Sequence, residues 1–292
     1  MKIIKWVGIV LIALAVLVFG FIYLKINDAQ SRLSTTHKVE PQELSIPDDS
    51  LSLIVGKKWA TALCAECHGN DLGGKMFFDD PDIGQVYAPN ITPGSGGTAY
   101  YTDKDWVRAL RHGVAANGKG LFIMPAGDYN YMHEEDLAAT IAYIKSVAPI
   151  DRSNMPMKLT TLANVLLSVG AFGEYAIPAE AIDHETPIPT KPESQSVIEY
   201  GDYVVKVFGC WGCHGKDLGG GNSPDPNAPP APSIRSNGNI GNWNFEQFQA
   251  FTTSGTTPEG KTVDNKFMPY MALGRLPLEE QKAIFEYLKS LE

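Results

Sequence analysis

The residues with the clearest chemistry are four cysteines and the two histidines that follow them in a 292-residue chain. They form the segments CAECH and CWGCH, which hold Cys64, Cys67 and His68, and Cys210, Cys213 and His214. C-x-x-C-H is the spacing of covalent haem attachment. Two thiols can bond the two vinyl groups of one haem, and the adjacent histidine then lies beneath the iron as its proximal ligand. The sequence therefore predicts two covalently attached haem c groups.

Two other kinds of site also use paired cysteines. Two C-x-x-C units can build a tetrahedral zinc site, and one C-x-x-C can be a redox-active dithiol. Each motif here, however, is followed by nearly the same residues, in CHGNDLGG (residues 67–74) and CHGKDLGG (residues 213–220). No cysteine remains for any other task. The repeated context favours haem attachment over zinc or dithiol chemistry.

The repeat extends well beyond the cysteines. Met124-Pro125 and Met268-Pro269 lie 60 and 58 residues after the first cysteine of their motifs. The segments EEDLAATIAYIKS and LEEQKAIFEYLKS follow, and both have the pattern of amphipathic helices with acidic residues at the start, as the helix dipole favours. The other matched positions are Trp106 with Phe248, Tyr101 with Trp243, and Pro89-Asn90-Ile91 with Pro232-Ser233-Ile234. One supersecondary plan therefore occurs twice.

Each repeat consists of a helix running into C-x-x-C-H, a loop-rich middle, a short helix, a methionine loop and a final helix. This plan resembles the class I cytochrome c fold over roughly residues 50–150 and 195–292. Gly56 and Gly201 lie about two turns before the cysteines, where small residues would let the first helix approach the last one near Tyr143 and Tyr287. The predicted fold class is mainly α, with tandem class I cytochrome c domains after an N-terminal transmembrane helix.

The first repeat also resembles the cytochrome subunits of bacterial membrane-bound dehydrogenases. The resemblance rests on the loop Asn90-Ile91-Thr92-Pro93, the Trp106 helix and the Met124-Pro125 loop. Such subunits accept electrons from a quinoprotein or flavoprotein and pass them to the respiratory chain. They often carry three haems and an anchor elsewhere, whereas this chain has two motifs and an apolar N-terminus. That layout also resembles the dihaem subunit of cbb3-type terminal oxidases.

Class I cytochromes take their sixth iron ligand from a methionine before the last helix, which implies Met124 and Met268 here. A thioether ligand raises the haem potential relative to a second histidine. The alternative is ordinary core packing, the usual role of methionine. The rival ligands are Met76, Met132 and Met271, and His112 or His133 for the first haem. Tyr101, Trp243 and Arg235 are candidates to bond haem propionates, with ordinary packing as the alternative for the two aromatics.

Residues 6–24 form an uninterrupted apolar run of 19, which is long enough to span a bilayer as a helix. No small-residue cleavage pattern follows, so an uncleaved anchor is preferred to a signal peptide. Lys2 and Lys5 place the N-terminus in the cytoplasm and the rest on the periplasmic side of a bacterial inner membrane. The predicted division is an anchor (1–25), a tether (26–50), a first cytochrome domain (51–150), a linker (151–195) and a second domain (196–292). Within the linker, residues 158–172 are expected to form a short amphipathic helix that packs between the domains; a surface for the partner or the membrane is the alternative.

The function predicted from these features is electron transfer between a respiratory or dehydrogenase donor and an acceptor. The expected partners are redox proteins, as other subunits of a membrane complex. The net charge of −9 excludes nucleic acid as an expected partner and suits steering of a basic partner surface, or simply solubility. A dihaem enzyme such as a peroxidase is the alternative, but it needs one iron open to substrate. Because both repeats keep the Met-Pro pair, no catalytic residue is predicted.

Overall fold

The computed structural model describes residues 2–223, 225 and 228–292. Within them a long N-terminal helix is followed by two helical domains and an intervening linker, so the chain is mainly helical, as predicted. Met1 of the predicted anchor, and residues 224, 226 and 227 of the predicted second domain, lie outside the described residues.

Helix α1 (Lys2–Ser34) is one continuous helix of 33 residues. Its apolar part is exposed, and it is long and apolar enough to cross a membrane. The helix continues past residue 25 into the segment predicted to be a tether, because Ala29 is fully buried against the linker and holds this part in place.

The chain after α1 also docks instead of forming a free spacer. Thr36 forms a β-bridge with Lys119, and the Arg108 guanidinium donates a 3.1 Å hydrogen bond to the carbonyl oxygen of Val39. Leu44 and Ile46 pack against the core. Residues 26–50 therefore differ from the predicted free tether, because backbone and apolar contacts hold them against the protein.

The first domain is built from six helices or helical turns and a β-hairpin. Its elements are α2 (Ser50–Trp59), a π-helical turn (Ala60–Cys64), α3 (Ala65–His68), β1 (Lys75–Asp80), β2 (Gly84–Ala88), α4 (Asp103–His112), α5 (Ala126–Tyr129) and α6 (Glu134–Ser146). Helix α4 begins at a capping box between Thr102 and Asp105 and ends at Gly113, whose left-handed conformation suits glycine.

The linker adds a strand and a short helix. Strand β3 (Lys158–Leu159) pairs antiparallel with β2, giving the sheet order β1-β2-β3. Helix α7 (Thr161–Ser168) follows, capped by Thr160, and 3-10 turns occur at Gly173–Tyr175 and Pro178–Glu180. The helix is shorter than the predicted 158–172 because its first residues are used in the sheet. It packs against α1, not between the two domains.

The second domain repeats the helices of the first, and its described residues contain no counterpart of the hairpin. Its elements are α8 (Val197–Val207), α9 (Trp211–His214), a 3-10 turn (Asn239–Asn242), α10 (Phe245–Ser254), α11 (Tyr270–Gly274) and α12 (Leu278–Ser290). Ser196 and Glu199 form a capping box at the start of α8. The first and last helices pack on each other here as in the first domain.

The predicted close helix approach is confirmed in both domains. A Cβ added at Gly56 would lie 1.9 Å from the Ala139 carbonyl oxygen, and one at Gly201 would lie 2.0 Å from that of Ala283. The same hypothetical atoms would meet the Cβ atoms of Tyr143 and Tyr287. The first helix therefore crosses the last one at backbone contact, and this contact positions the cysteine segment that follows.

We expect Gly56→Ala to destabilise the protein by about 3 kcal/mol or more, at the upper end of overpacking costs, because backbone must move to admit the methyl group. Gly127→Ala is the matched control, since nothing lies within 4 Å of its added Cβ. The measurement is the urea midpoint of the haem-loaded protein in detergent. Equal midpoints for the two variants would contradict the close crossing.

The two domains share one continuous core instead of touching only through the linker. The fully buried Trp59 meets Tyr203 edge-on, with ring centroids 6.0 Å apart. Tyr203 donates a 2.6 Å hydrogen bond to Asp136, and Lys58 forms a 2.8 Å ion pair with Glu280. These contacts hold the two cysteine segments in a fixed relation.

Candidate haem-binding sites

The cysteines lie where a helix runs into a short turn in each domain. Burial raises the pKa of the Cys64 thiol to about 12, that of Cys67 to about 11 and that of Cys210 to about 12. The described residues contain no cluster of three or more histidine, cysteine or acidic side chains that could hold a metal ion. The two cysteine pairs are therefore not assembled into a shared zinc site, and each pair remains available to bond one porphyrin.

Both motif histidines are oriented by a proline carbonyl. His68 Nδ1 lies 2.7 Å from the Pro89 oxygen, and His214 Nδ1 lies 2.8 Å from the Pro232 oxygen. Because a carbonyl only accepts, Nδ1 carries the hydrogen and Nε2 keeps its lone pair. Burial lowers the pKa of both imidazoles, which favours the neutral form that binds a metal. This arrangement fits a proximal iron ligand with a fixed tautomer.

The repeated sequence after each histidine folds into the same turn. Leu72 and Leu218 have φ values of 57° and 61°, a left-handed conformation that is rare for a branched side chain. Their carbonyl oxygens accept 3.0 Å hydrogen bonds from the backbone of Ile91 and Ile234. These bonds bring the Pro-x-Ile segment of each repeat against the turn, which places the proline carbonyl beside the histidine ring.

The two methionine loops also share one geometry. Pro125 has φ −77° and ψ 49°, and Pro269 has φ −74° and ψ 61°. In each loop the methionine carbonyl accepts a 2.7 Å hydrogen bond from the residue after the proline. Met124 and Met268 are half-buried against the core. The proline therefore fixes each methionine at the start of a short helix.

A cleft in the first domain brings its four predicted site residues together. Cys64, Cys67, His68 and Met124 all line it. Most of the remaining lining is apolar or aromatic, including Leu63, Ile91, Trp106, Leu110, Phe122, Ile123, Tyr129 and Ile144. A pair of thiols, an imidazole and a thioether around an apolar cleft fit a covalently attached porphyrin, so the residues present match the predicted group.

The second domain has the same histidine, turn and methionine geometry. Cys210 and Met268 are packed against its core. A separate cavity of about 590 Å³ lies beside Trp211 and Tyr287; the propionate candidate Arg235 lines it, but the cysteines, histidine and methionine predicted to bind the second haem do not. The second site is therefore defined by the geometry it shares with the first, not by the larger surface cavity.

The rival ligands lie elsewhere. Among the described residues, Met76, Met132, His112 and His133 do not line the first cleft. Met132 is buried in the core, while His112 contacts His184, with their Nδ1 atoms 3.0 Å apart. His133 stacks on Tyr203 with ring centroids 3.9 Å apart. Their positions favour Met124 over each of them for the distal side of the first cleft.

The predicted propionate partners have different surroundings. Tyr101 lines the first cleft. Trp243, its counterpart, donates its indole hydrogen to Glu259 at 3.0 Å, and Arg235 pairs with Asp217 at 2.8 Å. In the second domain, both residues predicted to bond a propionate are therefore already paired with carboxylates of the same chain.

Two features escaped sequence reasoning. The carbonyls of Pro89 and Pro232 orient the histidines, and the matched Pro-x-Ile segments were the signal that could have identified these carbonyls.

The second feature is Asp128, a buried carboxyl group beside the second cysteine pair. Asp128 is 4% exposed, accepts a long 3.4 Å hydrogen bond from Tyr175 and lies against Gly209. Burial raises its pKa to about 7. Alanine stands at the equivalent position of the second repeat, so the repeat gave no signal for it.

Comparison with known proteins gives matches across both domains. The cytochrome c family model matches residues 55–148 and 199–292. The chain is 27% identical to a diheme cytochrome c-type protein of Cereibacter sphaeroides, over 79% of this chain and 82% of that protein. It is 26% identical to the fructose dehydrogenase cytochrome subunit of Gluconobacter japonicus, over 78% of this chain and 50% of the relative.

A further relative is the gluconate 2-dehydrogenase cytochrome c subunit of Pantoea cypripedii, 31% identical over 52% of this chain and 35% of the relative. The chain thus spans half or less of these two dehydrogenase subunits. The two matched domains and the dihaem relative confirm two covalently bound haem c groups and the tandem cytochrome c fold. The chain therefore belongs to the cytochrome c family.

Proposed function

We propose that this chain is a membrane-anchored electron carrier of a membrane complex, and not itself an enzyme. The observation that carries the proposal is the matched pair of sites: each domain offers a carbonyl-oriented histidine and a proline-fixed methionine. With haem bound, such a pair would supply one histidine and one methionine ligand to each iron. A carrier needs both axial positions filled, whereas an enzyme needs one open to its substrate.

We assign the thioether bonds to Cys64 and Cys67 in the first domain, and to Cys210 and Cys213 in the second. His68 and His214 are the proximal ligands, and Met124 and Met268 are the distal ligands. When bound, each haem supplies reversible one-electron chemistry between ferric and ferrous iron.

The protein tunes that chemistry through groups of its own. The carbonyls of Pro89 and Pro232 hold each imidazole in one tautomer and one orientation. The thioether ligands and the apolar walls of the first cleft favour the ferrous state, which raises the potential. The shared interdomain core fixes the separation of the two sites, a condition for steady electron transfer between them.

The exposed apolar part of α1 is proposed to span the bacterial inner membrane, with the haem domains on the periplasmic side. Its length, its composition and the basic residues Lys2 and Lys5 support this orientation. We place the domain boundaries as predicted, at residues 51–150 and 196–292, but extend the anchor helix to Ser34.

The proposed donor is a dehydrogenase subunit, because two relatives are named as cytochrome subunits of dehydrogenases. The test is purification of the tagged chain from membranes in mild detergent, followed by identification of bound subunits. We expect a bound oxidoreductase subunit whose substrate reduces the haems; fructose and gluconate are the first substrates to try. A variant lacking residues 1–25, supplied with a cleavable export signal, is the control for membrane attachment. Recovery of the chain without any companion would contradict the proposed partner.

A further inference from the structure

The anchor helix is fixed to the body of the protein just beyond its apolar run. Gln30 donates a 2.8 Å hydrogen bond to Asn164, and Ser168 donates one of 2.7 Å to Asp28. Arg32 forms a 2.5 Å ion pair with Glu180. Around these contacts Ala29 is buried in a small apolar cluster with Leu167, Ala176 and Ile177 of the linker. The membrane-spanning helix and the linker therefore move as one unit.

These contacts give the level of the end of α7 relative to the membrane. Ser168, the last residue of α7, contacts Asp28, and the carbonyl oxygen of the neighbouring Leu167 accepts a hydrogen bond from Arg32, one turn further along α1. Asp28 is four residues beyond Leu24, the last residue of the apolar run, which is about 6 Å along a helix. The turn that follows α7 therefore begins about one helical turn from the end of the apolar run.

That turn, residues 169–173, is apolar and mostly exposed, although Phe172 is half-buried against the small cluster around Ala29. Its sequence is VGAFG, with no charged side chain, and Val169 is 54% exposed. Gly170 and Gly173 adopt φ values of 75° and 64°, which reverse the chain. Backbone hydrogen bonds from Gly170 and Ala171 back to α7 hold the reversal in shape. The chain thus presents a preformed apolar tip beside its proposed membrane span.

The tip continues an apolar stripe on the outer face of α7. Leu162, Val165, Leu166 and Val169 have the i, i+3, i+4, i+7 spacing of one helix face, and Leu162 is 48% exposed. The opposite face is buried: Ala163 is fully buried, and Leu167 packs with Ala29 of α1. Val165 and Leu166 are half-buried, so the stripe is exposed chiefly at its two ends, Leu162 and Val169.

We propose that the tip at residues 169–173 rests in the headgroup region of the membrane that α1 spans, as a second and noncovalent membrane contact. This rests on the proposed anchor. Apolar side chains at the headgroup level gain free energy by leaving water. A contact of this size is weak on its own, but α1 holds it at a high effective concentration. The exposed Glu174 follows directly and limits the contact to the headgroups.

The consequence is a fixed orientation of the haem domains. The tip leads into Ala176, whose carbonyl oxygen accepts a 3.1 Å hydrogen bond from Ile123, the residue before Met124. With α1 and the tip both in the membrane, the first haem cleft is held at one angle to the bilayer. Without the tip contact, α1 could tilt and rotate in the bilayer, and the haem domains attached to it would turn with it.

The test uses a nitroxide spin label on Val169→Cys in the full chain, reconstituted in phosphatidylcholine nanodiscs. The four native cysteines are bonded to haem, so the introduced thiol is the one that reacts. Lys261→Cys, at an exposed position of the second domain, is the matched control. Accessibility to oxygen, which partitions into lipid, is compared with accessibility to a water-soluble nickel complex. At each position the power saturation measured under nitrogen is subtracted, so that relaxation caused by the haem iron cancels.

We expect the oxygen-to-nickel ratio at position 169 to be several-fold higher than at position 261. The difference should vanish in the soluble variant that lacks residues 1–25. Equal ratios at both positions in nanodiscs would overturn the proposal, and so would low accessibility to both reagents at 169, which would mean that protein covers the tip. Failure of the full chain to enter nanodiscs would instead refute the anchor itself, which separates the two outcomes.

Discussion

Met124→His is expected to lower the potential of the first haem by on the order of 0.1 V or more, since axial ligands move haem potentials over a range of about 0.8 V. A thioether stabilises ferrous iron relative to a second imidazole. The second haem should shift much less, because its own ligands are unchanged. The measurement is a potentiometric titration followed by visible absorption, which resolves the two haems.

Met132→Leu is the matched control for this variant. Met132 lies only eight residues from Met124 and is 2% exposed, but it does not line the first cleft. Both potentials should stay near their original values. If Met132→Leu changes the first potential while Met124→His does not, the ligand assignment in this loop is wrong. Met268→His should lower the potential of the second haem and leave that of the first haem nearly unchanged.

Cys64→Ala combined with Cys67→Ala is expected to remove one of the two covalent haems. Both thioether bonds of the first site are lost, and noncovalent haem is extracted when the protein is denatured. The haem spectrum in alkaline pyridine should fall from two haems per chain to one. Cys210→Ala with Cys213→Ala should give the same halving through the other site.

The first double variant should also be less stable, because the apolar cleft around His68 loses the group that fills it. The second domain should also be destabilised, because Trp59 and Tyr203 pack against each other in the core that the two domains share. Two covalent haems remaining in either double variant would refute the cysteine assignment.

The site chemistry could be predicted from the sequence because it is encoded locally and twice. The cysteines and histidine of each motif are within five residues, and the turn after them depends on a short segment around Leu72 or Leu218. The helix crossing could also be predicted, since a glycine two turns before the cysteines has an obvious steric meaning. Because each of these patterns occurs in both repeats, each occurrence supports the interpretation of the other.

Contacts between distant segments could not be predicted in this way. Lys58 and Glu280 are 222 residues apart, and Gln30 and Asn164 are 134 apart. Polar residues such as Gln30 suggest a tether in isolation, and only the fold supplies their partners. The two domains also differ in their loops: the β1–β2 hairpin occurs only in the first within the described residues, and Glu259 takes the indole hydrogen of Trp243 in the second. The contacts of side chains in loops that differ between the two repeats therefore could not be predicted from the sequence.

The central claim, that both irons are capped by histidine and methionine and serve as electron carriers, is tested most directly by spectroscopy of the oxidised wild-type protein. We expect the weak near-infrared sulfur-to-iron band with the intensity of two haems per chain, and we expect Met124→His and Met268→His each to remove half of it. No high-spin ferric signal should appear in electron paramagnetic resonance. A high-spin signal, or a wild-type band of half the expected intensity, would contradict the claim, because one iron would then be open or differently ligated.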